Sequence, residues 1–166
     1  MDGLGRLFDI STAFVPTDAV AGAITGKRVN LRLYGGCTIV VQTTGASTDI
    51  TDVDLQQHTA ASGGTTADLD VITYFYYKSE TTLDGDETWT RGTQSAASEI
   101  TNVGAASQEL LLVIEVEATQ LSDGYDYISL DIPDLGTNGT RHCSGLYILR
   151  DLRYPRTPTN LVAPLS

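Results

Sequence analysis

Apolar and polar residues alternate with a period of two along most of this chain. No window of about eleven residues sustains the three-and-four spacing of an amphipathic helix. In Arg28–Tyr34, Val29, Leu31 and Leu33 share one face and Arg28, Asn30 and Arg32 the other. Gly35-Gly36 then reads as a turn, and Cys37–Thr43 follows as a β-branched, mostly apolar run. Val53–His58 alternates again, Val71–Lys78 is aromatic and β-branched, and Thr88–Thr93 carries the single tryptophan, Trp89. Glu109–Ala118 opens as a continuous apolar run and ends in alternation; Tyr125–Ile132 and Cys143–Leu152 complete the series. Turn-rich segments such as Leu83–Asp86, Ser122–Gly124 and Gly136–Gly139 separate these stretches. About eight short strands at this spacing predict an all-β fold, a single antiparallel β-sandwich or jelly-roll-like body.

The two ends break the pattern. Residues 1–26 show no convincing alternation but keep Leu4, Leu7, Phe8, Ile10, Phe14 and Val15. Residues 153–166 hold Pro155, Pro158 and Pro164, which fix φ and remove donors, yet also Tyr154, Leu161, Val162 and Leu165. The expected organisation is an extended N-terminal arm (1–26), a β-sandwich body (27–152) and a proline-rich C-terminal tail (153–166). Apolar side chains on irregular tails need a surface to cover, either their own body or another subunit. Ordering a tail costs about 1–2 kcal/mol per residue, so each should be ordered only where it covers something. Arg6, Phe8 and Phe14 at one end, and Tyr154, Pro155, Arg156 and Leu161 at the other, are the candidate anchors. The long segment Gln57–Asp70 has few strand signals and the length of a functional or mobile loop.

Composition narrows the class. With 166 residues, 41% hydrophobic and 19% charged, the chain suits one folded domain. Its net charge of −11 is unevenly spread. Residues 1–36 hold Arg6, Lys27, Arg28 and Arg32 against Asp2, Asp9 and Asp18, net +1. Residues 141–166 hold Arg141, Arg150, Arg153 and Arg156 against Asp151, net +3. The middle has only Lys78 and Arg91 against 17 acids, net −15. Such a body repels phosphate, so no nucleic-acid partner is expected. No apolar run reaches membrane-span length, and Asp9 and Asp18 make the opening segment a poor signal peptide.

Candidate chemistry is sparse. Cys37, His58, His142 and Cys143 lack the short spacing of a metal site. Cys37 and Cys143 could pair only if neighbouring strands carried them face to face. Asp84, Asp86 and Glu87 share only composition with a calcium loop and read as a hairpin turn. Asp49, Asp52 and Asp54 read as a solvated edge. Neither a nucleophile elbow nor a phosphate loop occurs, so no catalytic residue, metal or cofactor is expected. Tyr74 and Tyr76 should share one face of their strand, with Phe75 and Tyr77 on the other; such aromatics serve packing, an interface or sugar stacking.

Five stretches together carry a resemblance: Thr25–Val29 (TGKRV), Leu55–Thr65 (LQQHTAASGGT), Thr88–Gln94 (TWTRGTQ), Leu112–Ala118 (LVIEVEA) and Leu146–Pro158 (LYILRDLRYPRTP). They resemble a family of small virion-associated proteins encoded beside the capsid genes of tailed bacteriophages, from about residue 20 onward. The resemblance implies a capsid decoration (cement) protein on the exterior of an icosahedral shell, with the major capsid protein as partner. It also implies a homo-oligomer, trimer ahead of dimer, and defines no functional residue. Another phage structural part (tail, connector or fibre) and a carbohydrate-binding sandwich for host attachment are the alternative expectations.

Overall fold

The computed structural model describes residues 3–165. Eleven strands form in chain order: β1 (Phe8–Asp18), β2 (Val29–Asn30), β3 (Gly36–Thr43), β4 (Thr51–His58), β5 (Thr66–Asp68), β6 (Ile72–Glu80), β7 (Thr90–Ala97), β8 (Glu99–Val103), β9 (Glu109–Glu117), β10 (Tyr127–Asp131) and β11 (His142–Arg150). Strand makes up 50% and helix 4%, the latter as 3₁₀ turns at Ala118–Gln120 and Pro158–Asn160 among the described residues. Two antiparallel sheets make the sandwich. One has six strands in the order β1-β11-β3-β9-β6-β7. The other runs β2-β10-β4-β5, with β8 also pairing β4.

Alternation places the core. On β3, β9 and β11 every second residue is buried: Cys37, Ile39 and Val41; Leu110, Leu112, Ile114 and Val116; Cys143, Tyr147 and Leu149. The second sheet contributes Val53, Leu55, Ile100, Ile128 and Leu130 to the same apolar cluster. One polar strut crosses between the sheets: the backbone N–H of Leu130 donates to the buried Tyr147 hydroxyl at 2.9 Å.

The expected N-terminal arm is corrected at residues 8–18, which form β1 along the edge of the six-stranded sheet, antiparallel to β11. Two register shifts, between Thr12 and Phe14 and between Phe14 and Thr17, interrupt its alternation and bury Ala13 and Phe14 side by side. Pro16 sits in the second shift, where an edge strand tolerates a missing donor. Arg28–Tyr34 shrinks to the two-residue β2. The Gln57–Asp70 segment is ordered, because β5 pairs with β4 and the Arg28 guanidinium donates to the carbonyls of Ala60 and Gly63 at 2.8 and 2.7 Å.

Both cysteines are free and buried. Cys37 pairs with Leu149 and Cys143 with Thr43, so they lie six register positions apart on β3 and β11. That is about 20 Å at strand rise, far beyond disulfide reach. Among the described residues no helix is long and apolar enough to cross a membrane.

Candidate partner-binding surface at the terminal pole

The two chain ends meet at one end of the sandwich. The backbone N–H of Arg156 donates to Gly5 O at 2.7 Å. Gly5 has φ +80°, and a Cβ there would lie 2.5 Å from Arg156 O; only glycine fits both the turn and the contact. Residues 3–8 close into a loop through Leu7 N–H to Gly3 O (2.7 Å) and Gly5 N–H to Phe8 O (2.8 Å). The tail after β11 then runs along its own body. Arg153 N–H donates to Leu33 O, and Asn30 N–H to Pro164 O. Leu161 and Val162, both half-buried, close an apolar niche with Leu33, Tyr34 and Leu152. Beneath it, the Tyr34 hydroxyl donates to the buried Asp9 carboxylate at 2.9 Å; burial and this bond hold the phenol above its usual range. The tail thus covers its own subunit along one side.

The expected anchors divide accordingly. Phe14 is 5% exposed, packs on Gly145, and cannot reach a partner. This is a correction, and the buried face that the β1 bulges give it is the cause. Phe8 is half-buried against Gly3, and Leu161 is committed to the niche. Arg6, Tyr154, Pro155 and Arg156 remain exposed. Leu7, one of the apolar residues of the N-terminal segment but not among the expected anchors, is 70% exposed, and Tyr154 is 64% exposed. Beside them a groove of about 350 Å³ is lined by Asn30, Arg32, Leu33, Arg153 and Tyr154. Arg32 and Arg153 were also missed as site residues; their signal was the surplus of positive charge at the two ends.

That surplus is smaller than the sequence count. Arg150 is consumed by Glu115, Glu117 and Asp151 at 3.2, 2.6 and 3.0 Å, and the Glu117 bond first among them raises its ionisation. Arg141 is buried in the fold. Arg32 lies 3.9 Å from Asp126, both well exposed, so this pair is weak. Among the described residues, Arg6, Arg153 and Arg156 have no carboxylate within ion-pair distance. The pole therefore offers four guanidinium groups, one tyrosine and one leucine on a protein of net charge −11. Arginine forks suit carboxylates, which accept two parallel hydrogen bonds.

Several other chemistry-bearing residues are engaged within the fold. Burial pushes the Cys143 thiol up to about 12 and Cys37 higher still, so neither is poised as a nucleophile. Asp84, Asp86 and Glu87 have carboxylate oxygens within 4.8 Å of one another in the β6–β7 connection. Glu87 is already engaged by the Gly85 N–H at 3.0 Å and by Lys78 at 3.7 Å. Asp52 accepts the Asn102 N–H at 2.6 Å, and Asp49 accepts two bonds from Asn138, so this supposed solvated edge holds loops in place.

His58 is 4% exposed, with ring nitrogens 2.9 Å from both Thr66 Oγ1 and Ser129 Oγ. Burial first, then the nearby Arg28 charge, lowers its pKa from 6.5 to about 4. Between those values the unfolded chain binds the proton and the folded one does not. The stability that neutral His58 provides is present above about pH 6.5 and is lost as pH falls toward 4. We expect His58→Gln to cost about 1–2 kcal/mol at pH 7, after allowing for solvent screening. The difference should shrink as pH is lowered, as urea titrations between pH 7 and 4 will report. A pH-independent difference would mean that His58 acts by shape alone.

Comparison with protein-family models, curated proteins and solved structures finds no match. The functional reading therefore stands on the geometry and on the resemblance carried by the five stretches above.

Proposed function

We propose that this chain is a structural virion protein of the decoration type, binding the outside of a tailed-phage capsid and stabilising the shell. The observation that carries the reading is the convergence of both chain ends into one exposed, arginine- and tyrosine-bearing pole on an otherwise acidic sandwich. A shell gains stability from anything that binds only its assembled form, and many copies turn modest contacts into avidity. The acidic remainder of the surface keeps closely spaced copies soluble and apart. The major capsid protein is the proposed partner, contacted through Arg6, Leu7, Tyr154, Pro155 and Arg156, with Arg32 and Arg153 in the adjoining groove. Self-association belongs to the same reading, and the resemblance puts a trimer ahead of a dimer.

The test uses purified particles lacking the protein. Wild type should saturate at a copy number on the order of hundreds, since multivalent display is the source of avidity. A connector or tail part would saturate at about a dozen under the same avidity argument. Tyr154→Ala with Arg156→Glu should weaken occupancy about 10–100-fold and flatten its salt dependence, because an exposed aromatic and an arginine are the usual hot-spot types. Unchanged occupancy would remove the pole from the reading. Point substitutions are preferable to tail deletion, which would strip the niche over Leu33 and Tyr34.

A carbohydrate-binding role has one supporting observation, the exposed Tyr74, Tyr76 and Trp89. Yet the Tyr74 and Tyr76 rings meet edge to face at 74°, and the Arg91 guanidinium sits 4.9 Å from the Tyr74 centroid. The Tyr74–Tyr76 pair therefore offers no flat double platform for a sugar ring.

A further inference from the structure

The outer face of the six-stranded sheet carries an apolar band that the sandwich does not cover. Directly paired residues share a face, and one register row runs across all six strands: Thr12, Leu146, Val40, Val113, Tyr76 and Arg91. The next row adds Ile10, Ile148, Thr38 and Glu115, and the row on the other side Ser144, Gln42, Leu111 and Lys78. Ile10 is 47% exposed, Leu146 45% and Tyr76 36%. Isolated apolar residues on a surface are ordinary, but a continuous band is not.

The charges in and flanking these three rows are engaged, and Glu80, opposite Glu109, lies one row beyond them. Glu115 and Glu117 are held by Arg150, and Glu115 also accepts the Thr38 hydroxyl at 2.8 Å. Lys78 lies 3.7 Å from Glu87 and over the Trp89 ring, and Arg91 over Tyr74. On a chain of net charge −11, two copies can approach closely only where no loose acid intervenes, and these three rows qualify. Five interstrand spacings make the band about 24 Å wide, and three rows make it about 15–20 Å deep. That flat footprint is about 360–480 Å², under the roughly 600 Å² per partner of the smallest standard interfaces, so the contact belongs to the weaker class.

We propose that this face is the self-association surface, and that its occupant is the same face of a second copy. A two-fold axis along the strands, between β3 and β9, matches the two halves of the band. It lays Leu146 of one copy over Tyr76 of the other, Ile148 over Tyr74, and Val40 over Val113. Aliphatic side chains thereby pack on aromatic ones, in the aligned mode of sheet-on-sheet packing. The product is a closed dimer, in place of the trimer that the resemblance favours. The terminal pole lies outside this band and stays free.

Sedimentation equilibrium at about 200 μM, a concentration suited to an interface below the standard size, tests the idea. Wild type should run at twice its 17.7 kDa. Leu146→Glu and Tyr76→Glu, at exposed positions, should run as monomers with unchanged circular dichroism. Their association should be weakened about 100-fold, since each places a charge in the desolvated centre. Tyr154→Ala should remain dimeric. A Leu146→Cys/Tyr76→Cys double variant should be joined between chains by a short bismaleimide of about 8 Å reach, since facing sheets pack about 10 Å apart. Within one copy those positions are three interstrand spacings apart, about 14 Å, too far to bridge. The proposal is overturned by a wild-type monomer, by a trimer, or by glutamate variants that assemble normally; if those variants misfold, absence of the cross-link overturns it. Particle occupancy is a separate readout, so loss of capsid binding by an intact dimer counts against the proposed function alone.

Discussion

Replacing Arg141 by methionine is expected to cost about 3 kcal/mol of stability, a drop in Tm of about 6–12 °C for a chain of this size. Arg141 is 1% exposed and among the largest buried side chains. Its Nη1 donates to Thr43 Oγ1, Thr51 Oγ1 and Gln108 O at 3.2, 3.3 and 3.2 Å, and its Nη2 to Ser47 O at 3.0 Å. One guanidinium thus joins the end of β3, the loop after it, the start of β4 and the approach to β9. Four neutral acceptors replace a carboxylate, and none is easily satisfied once the fork is gone. Methionine fills much of the volume, so the measured loss reports hydrogen bonding. Lysine should recover less than half, because one ammonium cannot span four separated acceptors. Urea unfolding decides the matter. A loss below about 1 kcal/mol would mean that desolvating the charge offsets nearly all that its hydrogen bonds contribute.

A comparable loss, about 3 kcal/mol, is expected from Gly26→Ala, at the upper end of overpacking effects. A Cβ at Gly26 would lie 2.1 Å from Leu130 O, 2.9 Å from Leu130 C and 3.2 Å from Leu130 N. The obstacle is backbone of β10, so no rotamer relieves it. The segment cannot swing aside either. The Ile24–Ile132 bridge holds it on one side and the Val29–Ile128 pair on the other, and Gly26 N–H donates to Asp131 Oδ1 at 2.9 Å. Separating the strands would break these contacts together. Thermal unfolding with a shift under about 1 °C, less than a few tenths of a kcal/mol at this size, would show that the gap between β2 and β10 is looser than the geometry implies.

What could be read from the sequence follows from what alternation encodes. β3, β9 and β11 were legible from long β-branched and aliphatic runs, which alternate only where the outward face is polar and run on where it carries Val40, Leu111, Val113, Leu146 and Ile148. The Tyr74–Tyr77 stretch was legible by alternation: Phe75 is buried, and Tyr74 and Tyr76 are exposed. β1 was not, since its two bulges place Ala13 and Phe14 consecutively inside and erase the period. β5 and β8 were missed because Thr66–Asp68 and Glu99–Val103 owe their strand state to pairing with β4 rather than to their own pattern. For the site, the excess of arginine at the ends was visible, but its disposition was not. Arg141 and Arg150 count equally with Arg153 and Arg156 in a net charge, and only tertiary contacts show that the first two are spent inside the molecule. The meeting of Gly5 with Arg156 joins residues some 150 positions apart and has no local signature.

The pairing of β1 with β11 sets an order of events during folding. β1 is made before the other described strands and finds its partner only after β11 is complete, so the six-stranded sheet closes late on a growing chain. Until then β3 presents an unpaired edge, and Ala13 and Phe14 lie uncovered, the kind of surface on which aggregation starts. With so much of its structure held by distant partners, the chain belongs among slow folders. A product that stops short of Arg150 is therefore not a shortened sandwich but an open sheet with an adhesive border.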